Sequence, residues 1–178
     1  MSETAVFMSV PEIEGTGTLV GYAPGEDGSH EKWIPLASCS FHFEREEATA
    51  VDPDSDDEAA DTTPTTVVNP MKVERMADVT SAPLLMWLAA KPDDPARKKE
   101  EVLIDYCARS GKYYLRYELK GVELVSCSVS YQAPDEVKET LTMTYDRIAI
   151  YQRPIDVNGE VDTTKTTETH YTVFGEDE

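Results

Sequence analysis

The stretch YYLRYELKGVELVSCSVSY, residues 113–131, followed after the polar connector APDEVK (133–138) by ETLTMTYDRIAIYQ, residues 139–152, decides the fold. In the first run Tyr113, Leu115, Tyr117 and Leu119 share one face, with Tyr114, Arg116, Glu118 and Lys120 on the other. That is the period-two alternation of a half-buried strand. Past Gly121 the odd apolar positions resume as Val125, Cys127, Val129 and Tyr131 against Ser126, Ser128 and Ser130. Between them Val122-Glu123-Leu124 inverts the phase just after a glycine, which predicts a bulge or bend there. The second run slips as well: Leu141, Met143 and Tyr145 alternate with Thr140, Thr142 and Thr144, but beyond Asp146-Arg147 the apolar positions become Ile148 and Ile150. Two long antiparallel strands with slips in both partners describe a sheet that curls.

Outward from this pair the chain reads as further strands. Residues 6–10 open it, and a Gly-rich loop at Glu14-Gly15-Thr16-Gly17 follows. Residues 33–43 form the next strand, with Ala37, Cys39, Phe41 and Phe43 on one face and Leu36, Ser38, Ser40 and His42 on the other. Residues 44–63 have no periodicity and almost no large apolar side chain, so a long mobile loop is expected. Residues 65–76 resume as strand, with Pro70 marking an edge or bulge. One helix is expected: Thr80 or Ser81 as cap, Pro83 in the first turn, then Leu84 to Ala90 until Lys91-Pro92 stops it. Residues 101–108 are a strand leading through Arg109-Ser110-Gly111-Lys112 into the long pair, and a Thr-rich closing strand follows an Asn158-Gly159 turn. The predicted fold is mainly β: a curled antiparallel β-barrel or sandwich with one short α-helix on its flank, in a single domain spanning 1–178.

The charge is strongly negative: 35 acidic against 16 basic residues give a formal net charge of −19. Such a surface repels phosphate backbones and anionic lipid, which makes nucleic acid and membrane surfaces poor partners, and no nucleic-acid partner is expected. Residues 44–63 hold nine acids against Arg45 alone, a local charge of −8 that leaves −11 for the rest. No apolar run is long enough for a membrane span, so no insertion is expected. The start Met1-Ser2-Glu3-Thr4 lacks a signal-peptide pattern, and a cytoplasmic chain is expected. Cys39, Cys107 and Cys127 have no metal-ligand spacing and read as small core residues.

The candidate chemistry is sparse. Asp52-Pro53-Asp54-Ser55-Asp56-Asp57 resembles the start of a calcium loop, but Asp57 stands where the turn needs glycine and Thr63 where the loop needs glutamate. Gly15, Gly17 and Gly21 are not followed by the helix that a nucleotide cradle requires. His30, His42 and His170 lie in separate segments with no catalytic frame around them, and read as surface or barrel-wall histidines. No catalytic residue, metal or cofactor is therefore expected, and the chain does not read as an enzyme. The serine row Ser126, Ser128, Ser130 and the threonine row Thr140, Thr142, Thr144 read as a wetted sheet face or an assembly surface.

Taken in order, these segments resemble the haemolysin-coregulated protein (Hcp) family, the tube protein of type VI secretion systems. Ile13-Glu14-Gly15 after the first strand is similar to the family's opening. Trp33-Ile34-Pro35-Leu36-Ala37-Ser38-Cys39-Ser40-Phe41 resembles its second strand. The passage from Met71 through Lys72, Asp78, Thr80, Ser81 and Pro83 to Leu85 resembles its strand-to-helix connection, and residues 119–126 and 139–145 its last long strands. The resemblance implies a homohexameric ring, stacked rings forming a tube, and partners that include a spike protein, a contractile sheath and secreted effectors carried inside the ring. It also implies export through the type VI apparatus.

On this resemblance Ser40 and Ser38 are the candidate lumen and cargo contacts. The loop after that strand belongs to ring stacking in the family, so Glu46, Glu47, Asp52, Asp54, Asp56, Asp57, Glu58 and Asp61 are the candidate stacking residues. The chain departs from the pattern here, with an acidic segment where a Gly-rich or short polar loop is usual and His42 in place of a glycine. Like charges around a ring repel unless basic groups such as Arg97, Lys98 and Lys99 on the next ring meet them. The alternatives are a tail tube protein of a phage or related contractile injection machine, and a monomeric ligand-binding β-barrel.

Overall fold

A computed structural model describes residues 5–17, 30–46, 65–132 and 136–173. In chain order the strands are β1 (Ala5–Ser9), β2 (Ile34–Leu36), β3 (Ser38–Ser40), β4 (Phe43–Glu46), β5 (Thr65–Val68) and β6 (Met71–Met76). Helix α1 (Ser81–Leu88) and a 3-10 turn (Pro95–Arg97) precede β7 (Lys98–Cys107), β8 (Tyr113–Gln132), β9 (Glu136–Thr144), β10 (Arg147–Gln152) and β11 (Thr167–Thr172).

The long hairpin forms over the predicted span. β9 and β10 run in succession along one edge of the 20-residue β8, with Thr144 opposite Glu123 and Arg147 opposite Lys120. Tyr145-Asp146 interrupts them beside Gly121. There the glycine takes φ 62, and a Cβ would lie 2.0 Å from Asp146 Oδ2, so a side chain fits neither the backbone nor the space. A second irregularity, the register shift between Leu124 and Ser126, leaves Val125 as an extra residue. Gly121 and Val125 thus bracket the inverted phase. Val122 and Leu124 point into the core between them, and Cys127 resumes the odd-numbered phase after it.

The bend divides β8 between two layers. Its first half is flanked by β7 and β10, its second half by β9 alone. Beyond β7 come β1 and β2; beyond β10 lies β11; beyond β9 come β6 and β3, giving one nine-stranded antiparallel sheet. The single strand expected over 33–43 is broken. Its start pairs with β1 and its continuation with β6, and changing partners requires the kink at Ala37, whose N–H still donates to Glu74 O at 2.7 Å. The two ends of the sheet are therefore consecutive in the chain and must curl toward each other. Tyr106 Oη donates to Cys39 O at 3.3 Å across the interior, and the Phe41 and Tyr117 rings meet edge to face at 5.0 Å. The result is a curled sandwich rather than a closed hydrogen-bonded barrel.

Met8, Ile34, Val73, Ile104, Leu119, Leu141, Met143 and Ile148 fill the interior with no exposed surface beyond 1%. Helix α1 packs against β8 through buried Leu84 and Trp87, and the indole donates to Arg97 O at 2.7 Å. Thr80 holds the N-cap position, but its hydroxyl does not cap. It donates to Asp78 Oδ1 at 2.6 Å and accepts from the guanidinium of Arg75. Arg75 is fully buried, and a buried charge draws every acceptor in reach before a helix end does. Pro70 separates β5 from β6, where one strand was expected. Residues 44–46, expected as the start of the loop, instead continue β4, which pairs with β5 as a two-stranded arm. Contacts of Phe43 with Phe41 and Tyr171, at 5.2 and 5.7 Å between ring centroids, root the arm on the sandwich.

Candidate functional site

Side chains of paired residues on neighbouring strands share a face. On the inward face of the layer β3-β6-β9-β8, Cys39, Val73, Leu141 and Cys127 lie side by side in an apolar row, and the next row carries the buried pair Arg75 and Glu139 beside Val129. The outward rows are Ser40, Lys72, Thr142 and Ser126, then Ser38, Glu74, Thr140 and Ser128, then Met76, Lys138 and Ser130. The two serines singled out from the sequence and the two hydroxyl rows of the hairpin therefore lie on one face, a four-stranded wall of hydroxyls. Ser38 Oγ donates to Glu74 Oε2 at 3.1 Å. Lys72 and Lys138 have no carboxylate partner among the described residues.

The same layer has an open edge. No strand pairs with the far side of residues 124–132 of β8 among the described residues. Val125, Val129 and Tyr131 stand 46%, 58% and 67% exposed along it, and none of the nine residues is charged. Next to β8, α1 exposes Leu85 and Met86. An uncovered apolar edge of this length is what a partner strand covers.

Of the acidic residues singled out, Glu46 lies in β4 opposite Thr65. Glu47, Asp52, Asp54, Asp56, Asp57, Glu58 and Asp61 lie outside the described residues, as does the calcium-like run. The basic groups considered as their partners are engaged within the chain: Arg97 with Glu123 at 2.8 Å, Lys98 with Asp146 at 2.6 Å and Lys99 with Glu12 at 2.8 Å.

His30 departs from the expectation of a surface or wall histidine. It is fully buried, stacked on Phe7 and edge-on to Trp33, with Nε2 2.7 Å from Asp105 Oδ2. Arg116 clamps the same carboxylate through Nε and Nη2 at 2.7 and 2.8 Å. Cys107 Sγ lies 3.5 Å from Nε2. Burial, aided by the Asp105 charge, pushes that thiol up to about 12, so it holds its proton and is no nucleophile at neutral pH. Burial likewise raises Cys39 to about 11. The set is a buried electrostatic staple between β1, β7 and β8. Its only trace in the sequence is Asp105 interrupting the apolar run Val102 to Cys107. His42 and His170 are exposed.

No helix among the described residues is long and apolar enough to cross a membrane. Residues 7–151 match the family model described as type VI secretion system effector, Hcp. Nothing matches among curated proteins. Among solved structures, one described as a type six secretion system protein superposes with a TM-score of 0.72 at 16% identity, covering 96% of both chains. Hcp1 from Salmonella typhimurium follows at 0.68 and 14% identity, over 97% of this chain and 96% of that one. A type VI secretion system effector from Yersinia pestis gives 0.65 at 12% identity, over 94% and 99%. At these identities the superpositions establish the fold.

Proposed function

Because the chain belongs to the Hcp family of type VI secretion proteins, we propose that six copies close into a ring whose lumen is lined by the hydroxyl wall, and that rings stack into a tube that carries effectors. The observation that supports this reading is the layer β3-β6-β9-β8: its inner face is core, its outer face is serine and threonine with few charges, and its β8 edge is unpaired. In a chain of net charge −19, a broad face nearly free of acids is where copies and passengers approach without repulsion. Ser38 and Ser40 then contact cargo together with Ser126, Ser128, Thr140 and Thr142. A spike protein at the tip and a contractile sheath outside complete the assembly, and the chain leaves the cell with the tube.

Glu47 and the acids from Asp52 to Asp61 sit, on this reading, between stacked rings. Their mutual repulsion weakens stacking at low salt, since Arg97, Lys98 and Lys99 are already neutralised within their own subunit. Deleting residues 52–61 then leaves the fold intact and lengthens stacks at low salt; unchanged stacking would refute this role.

Electron microscopy of the purified protein across a salt series tests the ring. Six-fold rings with Ser128 and Thr140 on the central hole are expected. Single subunits at every salt concentration, or rings with this face turned outward, would overturn the reading.

A further inference from the structure

At the root of the β4–β5 arm, where the hydroxyl wall ends, Ser40, Phe41, His42, Asn69, Pro70 and Lys72 line an open recess of about 360 Å³. We infer that this recess is a carboxylate-binding site that takes an acidic side chain or chain terminus of a passenger protein.

The donors are of the right kind and are brought together by register. Ser40 and Lys72 are cross-strand partners, so the hydroxyl and the ammonium leave the sheet on the same side. His42 follows Ser40 at the same parity. The bond from Asn69 N–H to His42 O at 3.0 Å draws the two strands of the arm together and sets the Asn69 side chain at the recess. Phe41 and Pro70 supply apolar walls beside these polar groups.

Lys72 and Lys138 are the two lysines of the wall, and of these Lys72 lines the recess. Arg97, Lys98, Lys99, Arg116 and Lys120 each hold a carboxylate of their own chain. Lys72 holds none among the described residues, although Glu74, which accepts from Ser38, is two positions along the same face. Glu44 pairs with His42 only at 3.8 Å, beyond hydrogen-bonding distance. An incoming carboxylate thus finds an ammonium, a hydroxyl and an amide that hold no ion pair, and an imidazole that it shares with Glu44. Use of this site by cargo rests on the ring reading; the binding chemistry does not.

The test is fluorescence anisotropy at moderate salt with three labelled peptides: a tetra-aspartate with amidated C-terminus, a tetra-asparagine with a free C-terminal carboxylate, and the amidated tetra-asparagine as blank. Binding of the first assigns the site to acidic side chains, and of the second to a chain terminus. Lys72→Met weakens the bound peptide about tenfold, Lys72→Arg retains it, and Lys138→Met, on the same wall but outside the recess, leaves it unchanged. Equal binding of the blank, no loss in Lys72→Met, or an equal loss in Lys138→Met would each overturn the assignment. Microscopy of the same samples separates the two readings. Rings without Lys72-dependent binding sink the recess and leave the ring, whereas binding by subunits that never form rings does the reverse.

Discussion

The two halves of β8 are one strand in the chain and opposites in their surroundings. From Tyr113 to Gly121 the strand has a neighbour on each edge, and its outward side chains are paired: Arg116 with Asp105, and Lys120 with Glu101 and Glu118. From Leu124 onward it has one neighbour, no charge, and apolar side chains in solvent. The first half is finished within the subunit, whereas the second is a surface still to be covered. A strand whose halves differ so sharply assigns stability to one end and assembly to the other.

The largest effect expected from this division is on folding. Leu119 is fully buried in the first half, and Leu119→Ala costs about 3 kcal/mol, read from urea unfolding of dissociated subunits. Val129→Ala in the second half changes the same measurement by less than about 0.5 kcal/mol. Comparable losses at both positions would erase the distinction. At the junction, Gly121→Ala forces a Cβ onto Asp146 at positive φ and costs about 2 kcal/mol, also loosening the Lys98–Asp146 pair.

The smallest effect sharpens the electrostatic side. Bonding to Glu101, opposed by slight desolvation and reinforced by Glu118, raises Lys120 above its ordinary 10.5. A raised lysine contributes stability that is present below 10.5 and lost as pH climbs through its folded value. Wild-type urea midpoints therefore fall more steeply than those of Lys120→Met above that pH. Parallel curves would remove Lys120 from the account of the first half.

The hairpin and the break in its first strand were legible in the sequence because period-two alternation reports its own breaks, Val122 and Leu124 falling out of phase after Gly121; that Val125 is the extra residue was not, since it reads in phase with Cys127. The hydroxyl rows were legible for the same reason. That Ser38 and Ser40 join them was not, since register between strands far apart in the chain is set by the whole sheet. The kink at Ala37 was hidden because residues 33–43 alternate cleanly while changing partners. The pairing of His30 with Asp105 spans 75 residues and leaves no local pattern. Thr80 carried a capping residue's signature, and the buried Arg75 redirected it. The open edge of β8 was invisible for a plainer reason: alternation says which face is wet, not which edge lacks a neighbour.

The division of β8 is tested most directly by sedimentation velocity of the wild type beside Val129→Lys, at the salt where the wild type forms rings. A lysine on the open edge places charge where the next copy docks without touching the core. The account predicts six-subunit species for the wild type and single folded subunits, with unchanged urea midpoint, for the variant. Rings of undiminished stability in Val129→Lys would contradict it.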